Sequence, residues 1–428
     1  MKWEMWETSA WGRKLLLMAA SVAWYVLLAF AARAVDLNEP YLPLAICGGS
    51  VFYLRSQAKI REWLACLALS GSFALLVRFP AAKDWSVAAS SVLALFGFGA
   101  FLMLGFQWIW SGTQWRQRTI AVLAPAAALV FFVFSAQHAL NLGNLFHRTT
   151  YDLYLYAADG AFGFQPSFLC GRAMAASPTL RVVCLLAYLS LPLVMAFVVA
   201  FRVPIQAERA SWDVISLLML AGMGGWALYN VVPATGPIYA FAASFPHQSL
   251  PYAVLPKLLL EKIPVALSAP RNAIPSLHLT WVLLLYWNTK GMSRGMRLFL
   301  AIYLVLTAVS TLGTGEHYFL DLVAAVPYAL TVQALVSPER QAAVSRRFLA
   351  ASCGLGLTLG WLLLVRYGVK LMLLSPAVPW GLTALTCIIV WTVYAQIASL
   401  PTRPQADANQ PQFGTTAGDG RRALGAHV

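Results

Sequence analysis

Charge is what this sequence has little of: 11% of its 428 residues are Asp, Glu, Lys or Arg, against about 25% in a typical soluble domain. With 60% of residues hydrophobic, that scarcity excludes a soluble globular chain and points to an integral membrane protein. Acidic residues are the scarcer sign, with 16 Asp and Glu against 30 Lys and Arg and a formal charge of +14. The bases sit in short loops between apolar stretches, a pattern of membrane orientation and lipid headgroup contact, so no nucleic acid is expected as a partner. Cysteine is sparse too. The six Cys, at 47, 66, 170, 184, 353 and 387, lie mostly in apolar stretches with no CxxC or metal-like spacing, which excludes a disulfide framework and a zinc site. No cleavage site follows the first apolar run, which starts after Arg13 and Lys14 and continues to about Ala32, so it reads as a retained helix.

Long apolar runs fall near 15–32, 41–54, 63–79, 86–110, 119–140, 180–201, 212–232, 275–289, 297–314, 317–336, 348–366 and 377–399. The expectation is an all-α polytopic membrane protein of about twelve transmembrane helices. With Met1 on the cytoplasmic side, nineteen of the thirty Lys and Arg fall inside, among them Lys290, Arg294 and Arg297 in one short loop without an acid. Both termini are therefore expected in the cytoplasm. Residues 401–428, rich in Gly, Gln, Pro, Thr and Asp, read as a disordered cytoplasmic tail. Two outside segments, 141–179 and 234–274, are longer than the other connections and are where function is expected. The first mixes aromatics and acids (Tyr151, Asp152, Tyr154, Tyr156, Phe162, Phe164) and reads as a surface helix in the lipid interface.

Ionisable groups at membrane depth are expensive and mark function. They cluster on one side. Pro275-Ser276-Leu277-His278 opens one helix, preceded by Arg271 and Asn272, and Glu316-His317-Tyr318-Phe319-Leu320-Asp321 opens another. One helix in and one back separate His278 from His317, so the two can meet. His317 and Asp321 are spaced i, i+4 on one helix face, where the carboxylate can accept the proton of one imidazole nitrogen and leave the other free as nucleophile or base. The proline-started helix leaves unpaired N–H groups for an anion, with Arg271 as a fixed positive fork. Phosphate is the anion that such a set shares: one histidine attacks phosphorus and the other protonates the leaving oxygen, with no metal and no cofactor called for.

These residues resemble the phosphatidic-acid phosphatase type 2 superfamily, and within it the inositol phosphorylceramide synthase-like branch. Pro275 to His278 is similar to the family's Pro-Ser-Leu-His motif, and the run from Ser310 through His317 to Asp321 to its third motif, with the branch's His-Tyr and following Asp matched by His317-Tyr318 and Asp321. Asn230 to Pro237 resembles the branch's Pro-rich first motif, and Tyr151-Asp152 and Asp159-Gly160 resemble its upstream segment. The resemblance implies a six-helix catalytic core over 119–336; the membrane helices expected at 1–118 and 337–400 from the apolar runs lie outside it. It implies His317 as the nucleophile forming a phosphohistidine, Asp321 as its orienting partner and His278 as the proton donor. Arg271, Asn272, Ser276, Pro233, Thr235, Gly236 and Tyr318 are then the expected substrate contacts. Thr311 stands where the family's third motif has Arg, and no Lys/Arg-rich first motif surrounds Pro233. The phosphate charge is left to Arg271, Lys257 or Lys262 and backbone N–H groups.

Outside this set, Glu316 reads as a solvated acid complementing a helix dipole, His138 and His147 as interfacial polar groups, and Arg172 and Arg181 as headgroup anchors. The function expected is a membrane phosphotransferase that moves a phosphorylated headgroup between lipid or glycan substrates, with a phospholipid or other lipid phosphate and a hydroxyl acceptor as partners and the site facing outside the cytoplasm. A lipid phosphate phosphatase, with water as acceptor, uses the same residues. A non-enzymatic lipid transporter is the third reading, and an intact His278, His317 and Asp321 argues against it.

Overall fold

The computed structural model describes residues 10–34, 41–56, 59–77, 85–202, 208–289, 291–336 and 344–398. The described chain is a helical bundle. Its helices are α1 (Ala10–Ala34), α2 (Tyr41–Arg55), α3 (Ile60–Val77), α4 (Trp85–Trp110), α5 (Thr113–Phe146), α6 (Asp152–Gly160), α7 (Pro166–Ala176), α8 (Pro178–Leu189) and α9 (Leu191–Arg202). Then come α10 (Glu208–Tyr229), α11 (Pro237–Ala240), α12 (Leu277–Trp287), α13 (Arg294–Gly313), α14 (Phe319–Val336), α15 (Val344–Tyr367), α16 (Val369–Met372) and α17 (Ala377–Ala398). One two-stranded antiparallel ribbon joins β1 (Thr149–Thr150) to β2 (Ile263–Pro264), which clips the long segments 141–179 and 234–274 to each other.

Every expected span falls on helix, but twelve full-length crossings do not result. Among the described residues seven helices are long and apolar enough to cross a bilayer, which marks a multi-pass membrane protein, or eight if α7 and α8 count as one span bent by 119°. The expected 180–201 span is two helices, α8 and α9, separated at Ser190, whose N–H still bonds Leu186 O. The expected 275–289 span gives only the eleven residues of α12, too few for a crossing at 1.5 Å per residue. The 401–428 tail and Lys290 of the basic loop lie outside the described residues.

α14 forms the centre. Its buried residues lie around nearly its whole circumference, the pattern of a helix surrounded by protein, and it packs on α6, α10, α12, α15 and α17. Its contact with α15 is close because Gly354 faces the Pro327 carbonyl and Thr331, where a Cβ would collide; small residues let helix backbones approach in this way. A second core joins α2, α4, α5 and α9, so the N-terminal helices are packed onto the rest of the bundle.

The segment 141–179 departs most from expectation. It is no surface helix: Asp152, Leu155, Tyr156, Ala157, Ala158, Asp159 and Gly160 of α6 are buried. The reason is polar. The first N–H groups of α14 have no partners within their own helix, and the Asp159 carboxylate supplies them, accepting from Phe319 N at 2.9 Å and Leu320 N at 3.0 Å. Ser167 adds its hydroxyl to Asp159 at 3.3 Å. α6 is thereby drawn inward as the cap of α14.

Replacing Asp159 by Ala leaves two buried N–H groups unpaired and should lower stability by about 1–3 kcal/mol, measured as a loss of melting temperature in detergent. Burial also pushes the Asp159 carboxyl up to about 7 from 3.8. The folded state therefore holds that proton more tightly than the unfolded one, and the associated stability, present at low pH, is lost as pH rises through the window from about 4 to about 7. Asp159→Asn should flatten that decline; an identical pH profile in the variant would contradict the assignment.

Candidate active site

His278 is the second residue of α12, and the chain before it is fixed at both ends. Ser276 caps the helix, its hydroxyl accepting from Leu279 N at 3.5 Å, while its own N–H donates to Asp321 O at 3.0 Å. That last bond ties the start of α12 to the start of α14. His317, two residues before α14, is held from both sides: its N–H donates to Thr311 O at 3.2 Å, and its carbonyl accepts the Ser167 hydroxyl at 3.0 Å. The two histidine rings meet edge-on, with centroids 6.2 Å apart and planes inclined by 67°.

The proton on His317 is dictated by its neighbours. Nδ1 lies 2.8 Å from the Ala273 carbonyl and 3.4 Å from Asp321 Oδ2. Both are acceptors, so Nδ1 must carry the hydrogen, and Nε2 keeps its lone pair. Asp321 is itself fully buried and anchored by Tyr318 N, which donates to Oδ2 at 2.7 Å. This is the His–carboxylate pair that the i, i+4 spacing predicts, with a backbone carbonyl added.

The remaining expected contacts divide. Asn272 lines the cavity with the histidines, and its Oδ1 is buried without a partner. Arg271 does not line it. Its guanidinium donates to the carbonyls of His147 (2.9 Å), Ala266 (2.7 Å), Ala269 and Val265 (3.0 Å), so four of its five N–H groups hold the 265–271 loop to the end of α5, and burial lowers its pKa. Thr235, Gly236 and Tyr318 are likewise turned elsewhere. Thr235 N and Gly236 N donate to the Asp152 carboxylate at 3.1 and 2.9 Å, the Thr235 hydroxyl at 3.2 Å and the Tyr318 hydroxyl at 2.9 Å. Pro233 O accepts from Tyr151 N at 2.8 Å. Gly236 sits at φ +98°, and a side chain there would strike the Glu316 backbone, so the turn is built for close approach to the His317 segment. Burial holds the Asp152 carboxyl above its usual range against these four bonds. Ser276 is fully buried as a helix cap. Lys257 and Lys262 do not line the cavity, and Lys262 lies instead over the Tyr151 ring at 4.8 Å.

Sequence reasoning missed a ring of side chains around the histidines. The Tyr41 hydroxyl, from α2, lies 3.1 Å from His278 Nε2, and the Tyr188 ring stacks on His278 with centroids 4.2 Å apart. Tyr239 donates to Glu316 Oε1 at 3.0 Å. Glu316 is not the solvated acid expected: it faces the cavity, and burial raises its pKa. The cavity, about 400 Å³, continues from this polar end along apolar walls that include Phe132 and Val133 of α5 and Met195 of α9. No local pattern marks Tyr41, since 237 residues separate it from His278.

Tyr41→Phe keeps the ring and removes the hydroxyl from His278. Carbethoxylation of His278 by diethyl pyrocarbonate, followed by peptide mass spectrometry, should then rise several-fold. An unchanged rate would contradict the contact.

No curated protein and no solved structure matches the chain. A family model does: residues 153–335 match the PAP2 superfamily model, a stretch that runs from α6 to α14 and carries His278, His317 and Asp321 but stops short of Tyr41.

Proposed function

We propose that the protein is an integral-membrane lipid phosphotransferase in which His317 Nε2 attacks the phosphorus of a lipid-phosphate donor. The observation that carries this reading is the double engagement of His317 Nδ1 by Asp321 and the Ala273 carbonyl, which leaves the opposite nitrogen as the nucleophile and stabilises the imidazolium formed on attack. The P–O bond to the leaving lipid breaks as His278, in its protonated form, gives its proton to the departing oxygen. A phosphohistidine remains. In the second half, neutral His278 takes the proton of the acceptor hydroxyl, whose oxygen attacks phosphorus while the P–N bond breaks, and His317 returns to its starting tautomer.

Apolar walls next to the histidines support transfer to a lipid or glycan hydroxyl over hydrolysis, because they disfavour water at the phosphorus. The family match to residues 153–335 supports a phosphatase or phosphotransferase in general. In this reading α5, α8–α9, α10, α12, α13 and α14 form the catalytic core, no metal takes part, both termini are cytoplasmic and the histidines face the other side. The synthase-like branch is retained only for its His-Tyr and Asp pattern.

His317→Ala should abolish turnover by purified protein in lipid nanodiscs, and Asp321→Asn should reduce it by about 10²-fold or more, with both variants still inserted in the membrane. Near-normal activity in His317→Ala would overturn the nucleophile assignment. Wild-type activity should persist in excess EDTA. With a labelled donor and a ceramide, diacylglycerol or polyprenyl-linked glycan acceptor, transfer should exceed release of free phosphate for at least one acceptor. Exclusive hydrolysis with every acceptor would favour the phosphatase.

A further inference from the structure

A phosphate site ordinarily brings fixed cations, yet among the described residues no Lys or Arg lines this cavity. Its one acid is Glu316. The carboxyl lines the same cavity as His317, the chamber in which the reaction puts phosphorus. Two like charges a few ångströms apart repel strongly in a partly buried site, and Glu316 is therefore a misplaced group for any donor that brings negative charge alone. It has no Lys or Arg facing it across the cavity, and its bond from the Tyr239 hydroxyl uses Oε1.

Aromatic rings share the cavity with the acid. Tyr41 and Tyr188 meet edge to face with centroids 6.1 Å apart, both rings contact His278, and Trp281 adds a further ring at 6.2 Å from His278. A carboxyl and aromatic rings lining one cavity are the chemistry that recognises an alkylammonium: the carboxylate supplies the charge, and the ring quadrupoles attract the cation where it is desolvated. We propose that the cavity takes a phosphodiester lipid whose headgroup carries an ammonium, with Glu316 and the Tyr41, Tyr188 and Tyr239 rings receiving that ammonium. This rests on the phosphotransfer reading for the position of phosphorus next to His317.

The charges then close without Lys or Arg. The phosphodiester brings one negative charge and the ammonium one positive, the ammonium meets Glu316, and the phosphodiester meets the imidazoles and Asn272. Burial holds the Glu316 carboxyl above its usual range, a condition that an arriving ammonium relieves. Asn272 Oδ1, buried and unpartnered, lines the same cavity and gives the headgroup an acceptor. Arg271 being spent on loop carbonyls agrees with a site that does not call for a dianion clamp.

Binding tests this without requiring turnover. Full-length protein in detergent is titrated by calorimetry with three soluble probes: glycerophosphocholine, glycerophosphoethanolamine and glycerophosphoglycerol. The two ammonium probes should bind at least about tenfold more tightly than the glycerol probe, a difference of about 1.4 kcal/mol. Glu316→Gln, nearly isosteric, should erase that preference by weakening the ammonium probes alone, and Tyr239→Phe should reduce it. The choline and ethanolamine arms separate a quaternary from a primary ammonium. Equal or tighter binding of the glycerol probe, or equal weakening of all three by Glu316→Gln, would overturn the proposal. Headgroup preference without turnover of any donor would count against phosphotransfer and leave the ammonium site standing, whereas turnover without preference would do the reverse.

Discussion

One hydrogen bond donor governs this site: the Nδ1–H of His317, shared between a buried carboxylate and a backbone carbonyl. A neutral imidazole has one donor and one acceptor nitrogen, so fixing the donor fixes where the lone pair lies. The surrounding structure follows from the need to hold that ring still. Thr311 and Ser167 grip the His317 backbone, Tyr318 N holds Asp321, and Ser276 N bonds Asp321 O so that the helix carrying His278 starts from the same point.

Holding three carboxylates in this region is expensive, because a buried charge must be matched by hydrogen bonds. Asp152, Asp159 and Asp321 are each fully buried. Asp159 caps α14, Asp152 gathers the 235–236 turn and the Tyr318 hydroxyl, and Asp321 faces His317. Together they convert a membrane helix terminus into a rigid platform. The substrate end of the cavity is left with histidines, tyrosines, an asparagine and one glutamate.

Much of this was legible in the sequence. The proximity of His278, His317 and Asp321 could be read because an i, i+4 spacing is a local signal and because one helix in and one helix back return the chain to its starting level. Helix positions could be read from apolar runs, but crossing lengths could not: α8 and α9 divide at Ser190, two residues before Pro192, inside a run of otherwise apolar character. Arg271 was misread for a specific reason. A guanidinium before a helix start looks like an anion ligand, and its actual partners are carbonyls of a loop whose path depends on the β1–β2 ribbon and the end of α5. Tyr41 and Tyr188, at helix ends, have the appearance of interfacial anchors, and only the packing of α2 against α9 and α5 brings Tyr41 to His278. Asp152 and Asp159 were visible as part of a family-like segment, but their inward direction is set by the unpaired N–H groups of α14, a demand that arises only in the folded bundle.

The most direct test of the central claim is the position of the covalent phosphoryl group. Purified wild-type protein, with both histidines in place, is mixed with a labelled donor in the absence of any acceptor, quenched in alkali and examined by peptide mass spectrometry with isomer-resolved phosphohistidine standards. The account predicts label on His317 as the Nε2 isomer, and none when Asp321 and His317 are both replaced. Label on Nδ1 of His317, or on any other residue, would contradict it.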